Sequence, residues 1–484
     1  MKEKMILDEI LEILKEKSID KAYKVNEKSY TYKELYKFVC HIYEFLLKEN
    51  KKKEPVVVYG HKDIYMKATF LACSFAGMAY VPIDESIPTE RFENIIKQIK
   101  PKLVIGKNIS KEKIYEIMNN EEYKEINQIL LTLEDIYYII FTSGSTGIPK
   151  GVKVTYENLD SCINWLKEVT KIKKGIILNQ ANFSFDLSVA DLYLSLVSES
   201  EHFIINDNYN LDLKNIYREL SKSNADMMVA TPSFMDLLLL DKKFNKELMN
   251  NIRTIIFCGE TLQKTTVDKL YSRFNNIKII NCYGPTESTF AVTSTVITKE
   301  MAESGILPVG IAKQDVKIYI VDENKNKINN GKIGEILIAG KSVADGYVGN
   351  INNESFITFE GEKAYLTGDL GYIENEILYY KGRKDKQVKY KGYRIELSDI
   401  EENLQKLGYI EKSVVSAKKN EEGKVLTIIA YVILKENLKK NELEIKRDLQ
   451  EKIPNYMCPK IKIVKEIPLN QNGKCDEKRL LEEF

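Results

Sequence analysis

Residues 138–151 read Tyr-Ile-Ile-Phe-Thr-Ser-Gly-Ser-Thr-Gly-Ile-Pro-Lys-Gly. An apolar run rich in β-forming residues ends in a loop of hydroxyl-bearing residues and glycines, with Pro149 and Lys150 behind it. Glycines let a backbone approach a ligand closely, and the hydroxyls add donors to those of the backbone N–H groups. The loop therefore suits a polyphosphate, although it lacks the GxxxxGK[ST] spacing of a Walker A loop. Its composition alone equally favours a flexible surface turn.

Length and composition bound the class of protein. A chain of 484 residues exceeds one ordinary core, so two or more domains are expected. The net charge of +1 gives no field that favours nucleic acid or a membrane surface. We find neither an apolar signal core at the start nor an apolar stretch long enough for membrane insertion. The seven cysteines form no CxxC pair, which predicts neither a zinc site nor a disulfide framework and favours a reducing cytoplasm.

The three histidines of the sequence lie outside any motif, which argues against a histidine-based triad and a multi-histidine metal site.

Strands and helices alternate from about residue 54 to residue 280, a pattern typical of parallel α/β layers. Beyond Gly310 closely spaced strands predict a small antiparallel β subdomain. We expect a large domain over 1–382 with the β subdomain at about 310–382, a hinge at 383–386, and a small, mobile α+β domain over 387–484.

Three further segments carry groups suited to nucleotide chemistry. In Asn281-Cys-Tyr-Gly-Pro-Thr-Glu-Ser-Thr289, Tyr283 offers a flat face for a base and Glu287 a hard oxygen for Mg²⁺. In Tyr365-Leu-Thr-Gly-Asp369 we expect a carboxylate at a strand end, where it could accept both hydroxyls of a ribose. Lys474 follows Gly473 near the C-terminus. Taken singly, these are also compatible with a structural Gly-Pro turn, a turn-capping aspartate and a solvated lysine.

Six motifs occur in order along the chain: Thr-Ser-Gly-Ser-Thr-Gly-x-Pro-Lys-Gly, Tyr-Gly-Pro-Thr-Glu, Thr-Gly-Asp, Gly-Arg-x-Asp, Gly-Tyr-Arg-Ile-Glu and Asn-Gly-Lys. The sequence thereby resembles the adenylate-forming enzymes, specifically their amino-acid adenylation branch, over roughly residues 25–484. Within that branch it is most similar to the enzymes that ligate D-alanine to a carrier protein, through the strings Asn182-Phe-Ser-Phe-Asp-Leu-Ser-Val189 and Phe257-Cys-Gly-Glu260.

The resemblance implies an α/β adenylate-forming fold and ATP and Mg²⁺ as cofactors. Lys474, Thr286 and Glu287 would be catalytic, with Glu287 holding the magnesium ion. Tyr283 would stack on adenine beside Asn281, and Asp369 would bind the ribose next to Arg383. Thr286 and Lys474 would also bind ATP, Thr286 at the α-phosphate. The remaining implied ATP-binding residues form the phosphate loop: Thr142, Ser143, Gly144, Ser145, Thr146 and Lys150.

Asp186 indicates the class of acid substrate. A carboxylate in a pocket wall would pair with a substrate ammonium, and would be left buried and unpaired by a fatty or aryl acid. The alternative is that Asp186 only caps a helix. The resemblance places Leu187, Ala190, Cys258, Cys282 and Phe290 around the substrate side chain. Cys258 matches the family position tied to a preference for D-alanine, so the resemblance makes D-alanine the leading substrate. Ala190, Cys282 and Phe290 depart from the family pattern, which leaves L-alanine, serine, proline or a similar amino acid as alternatives.

The resemblance also implies a second half-reaction. Gly392 would leave room for a pantetheine arm in the thiolation tunnel, and Asp385 would be the hinge. No Gly-Gly-x-Ser carrier motif follows the second domain, so we expect a separate acyl or peptidyl carrier protein as partner, and a monomeric enzyme for teichoic acid D-alanylation. Two alternatives remain: a stand-alone adenylation enzyme for another small amino acid in nonribosomal peptide-type biosynthesis, and an inactive nucleotide-binding scaffold.

Overall fold

The computed structural model describes residues 4–144, 147–206, 213–305, 307–328, 331–349, 353–420, 423–435, 438, 440–468 and 475–483. It divides into two compact units. Unit 1 comprises Met1–Glu85, Ile99–Ile140 and Gly151–Lys381, and unit 2 comprises Ser86–Gln98, Phe141–Lys150 and Gly382–Phe484. The hinge at 383–386 stays a prediction.

Some α-helices of the described residues begin after a residue whose side chain caps the helix. Thr31 forms a capping box, because its side chain accepts from the backbone N–H of Glu34 while the Glu34 carboxylate accepts from the N–H of Thr31. In chain order the α-helices are α1 Ile6–Lys15, α2 Tyr32–Glu49, α3 Ile64–Phe75, α4 Thr89–Ile99, α5 Lys111–Met118, α6 Tyr156–Thr170, α7 Leu187–Val197, α8 Leu213–Ser223, α9 Pro232–Leu238, α10 Lys264–Arg273, α11 Lys299–Ser304, α12 Leu397–Gln405, α13 Glu442–Gln450 and α14 Glu477–Glu483.

The larger sheet of unit 1 has nine strands in the order β14-β13-β12-β11-β10-β8-β9-β1-β2. Its central pairings, from β12 through β11, β10, β8 and β9 to β1, are parallel. Helices lie between these strands along the chain, which confirms the predicted α/β architecture. The strands are β1 Lys21–Val25, β2 Lys28–Thr31, β8 Ile176–Asn179, β9 Glu201–Ile204, β10 Met227–Ala230, β11 Thr254–Phe257, β12 Lys278–Tyr283, β13 Thr293–Ile297 and β14 Ile311–Ala312.

A second sheet has five strands in the order β5-β3-β4-β6-β7. Strands β3, β4 and β5 are parallel neighbours, and β4 pairs in parallel with β6 at Tyr138. Their side chains are almost all buried, as expected for parallel strands covered on both faces. The strands are β3 Val56–Gly60, β4 Tyr80–Asp84, β5 Val104–Ile105, β6 Ile136–Thr142 and β7 Lys150–Thr155.

The predicted antiparallel β subdomain is present, with the order β15-β16-β18-β17 and β19 paired to β18. One expectation for this region is wrong, because Asp369 lies within the long strand β18 and not at a strand end. Gly368 has a φ of 73°, and the β16–β18 register shifts opposite it, so the glycine bends the strand without ending it. The strands are β15 Val316–Val321, β16 Gly334–Gly340, β17 Phe356–Phe359, β18 Glu362–Glu374 and β19 Ile377–Arg383.

The C-terminal part of unit 2 has the predicted α+β character. The hairpin of β20 Gln387–Tyr390 and β21 Tyr393–Glu396 leads into α12, and a three-stranded sheet has the order β22-β23-β24. Helices α12 and α13 and this sheet share one apolar core. The three strands are β22 Ile410–Lys419, β23 Val425–Leu434 and β24 Lys460–Ile463. In the part of the chain that the structure describes, none of the helices has the length and apolarity that a membrane crossing requires.

Candidate functional site

A tight turn after β12 positions the candidate nucleotide residues of unit 1. Strand β12 ends at Tyr283, and residues Thr286–Ser288 form a single 3₁₀ turn. A Cβ on Gly284 would lie 2.6 Å from the Cα of Ala291, so only glycine allows this close return of the chain. Thr286 and Glu287 are consequently buried next to the strand end.

Tyr283 and Asp369 form a buried pair although 86 residues separate them. The Tyr283 hydroxyl donates to Asp369 Oδ2 at 2.8 Å. Burial, followed by the charge of Asp369, raises the pKa of Tyr283 well above its usual value, so the phenol stays protonated as donor. The Asp369 N–H in turn donates to Thr367 Oγ1 at 3.0 Å. The ring predicted to stack on adenine therefore orients the carboxylate predicted to bind ribose.

We expect Tyr283→Phe to raise the KM for ATP about tenfold in ATP–pyrophosphate exchange, the scale of a lost hydrogen bond to a charged group. The phenylalanine keeps the ring face, so the effect isolates the hydroxyl bonded to Asp369. Tyr271→Phe is the control, because its hydroxyl is bonded to a backbone carbonyl of the same unit, that of Ile297. Equal KM values for wild type and Tyr283→Phe would contradict the coupling of Tyr283 to Asp369.

Asn281, the other residue predicted near adenine, donates through its side-chain amide to the Pro308 carbonyl at 2.8 Å. This bond ties the end of β12 to the segment that precedes β14. The Asn281 side chain is buried. Its contribution to an adenine site stays a prediction.

Glu287 is held on both its backbone and its side chain. Its carbonyl accepts from the N–H of Ala344 at 2.9 Å, and its Oε1 accepts from the Tyr347 hydroxyl at 2.7 Å. Among the described residues, no group of three or more His, Cys, Asp or Glu side chains could hold a metal ion. A single carboxylate nevertheless fits Mg²⁺, which proteins bind through one or two carboxylates together with substrate phosphates. The sequence reasoning missed Tyr347, since nothing in its local pattern signals a partner 60 residues away.

Asp186 lies directly before α7, at the backbone position of a helix N-cap. Its backbone is α-helical and its side chain makes no capping hydrogen bond. The capping alternative therefore explains where Asp186 lies in the chain but gives its carboxylate no role. The carboxylate is half-buried, whereas every residue of α7 is buried. Burial and, to a lesser extent, the charge of Asp186 raise the pKa values of Tyr138 and Cys162. Those two groups, which the sequence did not single out, therefore lie within electrostatic reach of Asp186.

The residues predicted around the substrate side chain belong to one buried apolar cluster in unit 1. The Cys258 thiol lies 3.7 Å from the carbonyl oxygen of Phe290, to which it donates. Burial, with smaller contributions from Cys258 and Cys162, raises the pKa of Cys282 well above its usual value, so the Cys282 thiol stays neutral. Their roles as substrate contacts stay predictions. The predicted members of the cluster are Leu187, Ala190, Cys258, Cys282 and Phe290.

The phosphate loop belongs to unit 2, where Ser143 contacts the β20–β21 hairpin region. The Ser143 hydroxyl donates to the Arg394 carbonyl at 2.9 Å and accepts from the Glu396 N–H at 3.2 Å. Gly144 is required by space, since a Cβ there would lie 2.0 Å from the Ile148 carbonyl oxygen. Gly147 adopts a φ of 66°.

The structure describes only some of the other residues that were predicted to bind ATP. Thr142 and Lys150 are partly exposed in unit 2. Ser145, Thr146 and Lys474 lie outside the described residues. Their roles, like that of Ser143, stay predictions.

Arg383 and Asp385 form a bidentate ion pair in unit 2. Two guanidinium nitrogens lie 2.7 Å from the two carboxylate oxygens. Burial acts to raise the pKa of Asp385, but the hydrogen bonds and charge of Arg383 outweigh it and the pKa is lowered. Gly392, at the tip of the hairpin, has a φ of 85°, which favours glycine.

Comparisons with known proteins agree with these motifs. The family model described as AMP-binding enzyme matches residues 14–348, and that described as AMP-binding enzyme C-terminal domain matches residues 399–474. A D-alanine--D-alanyl carrier protein ligase of Listeria monocytogenes serotype 4a is 40% identical over 93% of each chain. One of Bacillus cereus is 38% identical over 89% of this chain and 90% of its own.

Solved structures show the same fold at lower identity. The adenylation domain AlmE of Vibrio cholerae, in complex with glycyl-adenosine-5'-phosphate, has a TM-score of 0.84 at 21% identity, covering 99% of this chain and 97% of that one. The o-succinylbenzoate CoA synthetase of Bacillus subtilis, as a double mutant bound to a product analogue, has a TM-score of 0.82 at 18% identity, covering 98% of each chain. The architecture is thus a large N-terminal α/β domain with a small C-terminal domain.

Proposed function

The chain belongs to the AMP-binding enzyme family, and on that premise we propose that it activates D-alanine with ATP and transfers it to a carrier protein. The observation that carries the proposal is the 40% identity to D-alanine--D-alanyl carrier protein ligases over 93% of both chains. The partner is a separate carrier protein with a phosphopantetheine thiol. We also propose that the enzyme is a monomer and that it works in the cytoplasm.

In the first step, a carboxylate oxygen of D-alanine attacks the α-phosphorus of ATP. The bond from that phosphorus to the β-phosphate oxygen breaks, giving D-alanyl adenylate and pyrophosphate. The protein needs little covalent chemistry of its own, so positioning and charge stabilisation carry the step. Glu287 would hold Mg²⁺, which supplies positive charge against the phosphates. Tyr283 and Asp369 would bind the nucleoside, and Lys474 would bridge the substrate carboxylate and the nucleotide.

Asp186 would bind the ammonium of the amino acid. The side chain lies at the start of a wholly buried helix and next to the apolar cluster that contains Tyr138 and Cys162. In such surroundings a carboxylate gains most from an opposite charge, because solvent screening is weak. A fatty or aryl acid would offer no such charge. The neighbouring thiols of Cys258 and Cys282 would leave room for a small side chain.

In the second step, the carrier thiolate attacks the carbonyl carbon of the adenylate, and AMP leaves with the electrons of the broken C–O bond. The hairpin around Gly392 would line the approach of the pantetheine arm, since a glycine at its tip presents no side chain. Asp385 would be the residue whose backbone changes between the two steps.

ATP–pyrophosphate exchange with D-alanine, L-alanine, serine, glycine and proline tests the proposal. We expect D-alanine to give the highest kcat/KM. A preference for another amino acid would replace D-alanine as substrate while keeping the chemistry. No exchange with any of the five would contradict an active adenylating enzyme and favour the scaffold alternative.

Asp385→Pro is expected to slow transfer to the carrier thiol on the order of tenfold while sparing exchange, because proline restricts the backbone at the proposed hinge. Asp385→Ala is the matched control, since it also removes the ion pair with Arg383 but leaves the backbone free. Single-turnover transfer from preformed adenylate measures the step. Equal losses in both half-reactions, or equal effects of proline and alanine, would contradict the hinge.

A further inference from the structure

Tyr347 is placed to orient the carboxylate of Glu287. Its hydroxyl donates to Glu287 Oε1 at 2.7 Å, and the two residues are 6% and 1% exposed. The bond is therefore shielded from solvent, where a hydrogen bond to a charged group is strong.

The backbone around Tyr347 is fixed against the strand that follows the phosphate loop in sequence. The N–H groups of Asp345 and Val348 donate to the carbonyls of Lys153 and Gly151, both at 2.8 Å. Lys153 returns a bond to the Gly346 carbonyl at 2.9 Å. These backbone hydrogen bonds to β7 fix the position of the segment that contains Tyr347. The same segment is bonded to the turn that contains Glu287, because the Ala344 N–H donates to the Glu287 carbonyl.

The ring of Tyr347 is fixed as well. It packs edge-on against Phe356 with ring centroids 5.2 Å apart, and its N–H donates to Asn353 Oδ1 at 2.9 Å. The hydroxyl of Tyr365 lies 3.4 Å from that of Tyr347, longer than a typical O–H···O bond. Tyr347 therefore has little freedom to move its hydroxyl away from Glu287.

We propose that Tyr347 is a positioning residue for divalent-metal binding, acting through Glu287. A ligand carboxylate held by a neighbouring donor presents its oxygens in one orientation, and loss of such a donor typically weakens metal affinity by about 10- to 100-fold. The inference rests on the role of Glu287 in the proposed function and adds a residue that none of the six sequence motifs contains. It also connects the strand after the phosphate loop to the metal carboxylate.

Direct binding of Mn²⁺ to the full-length protein with α,β-methylene-ATP, measured by electron paramagnetic resonance, tests the proposal without any amino acid. We expect Tyr347→Phe to raise the Kd for Mn²⁺ about tenfold. In ATP–pyrophosphate exchange, high Mg²⁺ should restore most of the rate. An unchanged Kd for Mn²⁺ would overturn the proposal. Because no substrate acid is present, a wrong substrate assignment would leave this result untouched.

Tyr319→Phe is the matched control, because Tyr319 donates to Glu360 Oε2 at 2.8 Å in an exposed pair of the same subdomain. It should leave the Kd for Mn²⁺ unchanged. Glu287→Gln should raise the Kd, and adding Tyr347→Phe should raise it no further, since residues that act as one unit are not additive. Additive effects would overturn the proposal. If Tyr347→Phe does not fold, Asn353→Ala replaces it, because that substitution removes the acceptor of the Tyr347 N–H. Asn353→Ala should raise the Kd for Mn²⁺ by a smaller factor. An unchanged Kd in this variant would also overturn the proposal.

Discussion

Asp186→Asn is expected to lower kcat/KM for D-alanine about 100-fold or more, chiefly through a higher KM. The substitution keeps the size of the side chain and removes its charge. Truncating one partner of a poorly solvated charge pair leaves the other partner uncompensated, and here that partner is the substrate ammonium. ATP–pyrophosphate exchange at varied D-alanine concentrations measures the effect, while the KM for ATP should change little.

Asp63→Asn is the matched control for Asp186. Asp63 also occupies the N-cap position of a buried helix, α3, without a side-chain capping hydrogen bond. Its partner is Lys111, with Nζ 3.4 Å from Oδ2. We expect normal kinetics for this variant. An equal loss of kcat/KM in Asp63→Asn and Asp186→Asn would indicate that Asp186 has only a structural role. Unchanged kinetics of Asp186→Asn would contradict its contact with the ammonium.

Lys474→Ala is expected to slow adenylation about 100-fold or more, the scale for losing a preorganised charge in the transition state. The proposed contacts of Lys474 with the substrate carboxylate and the nucleotide place its charge where negative charge gathers during attack. The rate of pyrophosphate exchange at saturating substrates is the measurement. Transfer from preformed adenylate should be less affected, because the α-phosphorus has already been attacked.

Lys440→Ala controls for general loss of a lysine from the C-terminal region. Lys440 forms a partly exposed pair with Asp448 at 3.0 Å, a type of contact worth little. It should leave exchange unchanged. Unchanged exchange in Lys474→Ala would refute the assignment of Lys474.

Local signals in the sequence predicted most of the secondary structure. The alternation of strands and helices from about residue 54 to residue 280 and the closely spaced strands beyond Gly310 are confirmed, because each pattern depends on residues close together in the chain. The strand end expected at Asp369 was wrong for a related reason. Judged from its neighbours in sequence, a glycine indicates the end of a strand. Strand β18, however, pairs with β16 on both sides of Gly368.

The candidate site was predicted as separate motifs, and their pairing required the fold. Tyr283 and Asp369 were each identified, yet the hydrogen bond between them depends on how β12 and β18 are placed within unit 1. Tyr347 was missed altogether, because an aromatic residue in a Gly-Tyr segment gives no sign of a carboxylate partner distant in sequence. Cys162 likewise lies on the buried side of a helix, where its pattern indicates only core packing.

A comparison of D-alanine with propionate in ATP–pyrophosphate exchange tests the central claim most directly. Propionate keeps the carboxylate and the methyl group of D-alanine and lacks only the ammonium. The contact with Asp186 predicts exchange with D-alanine and a kcat/KM for propionate lower by about 100-fold or more. Propionate exchange as efficient as that of D-alanine would contradict recognition of an amino acid by its ammonium.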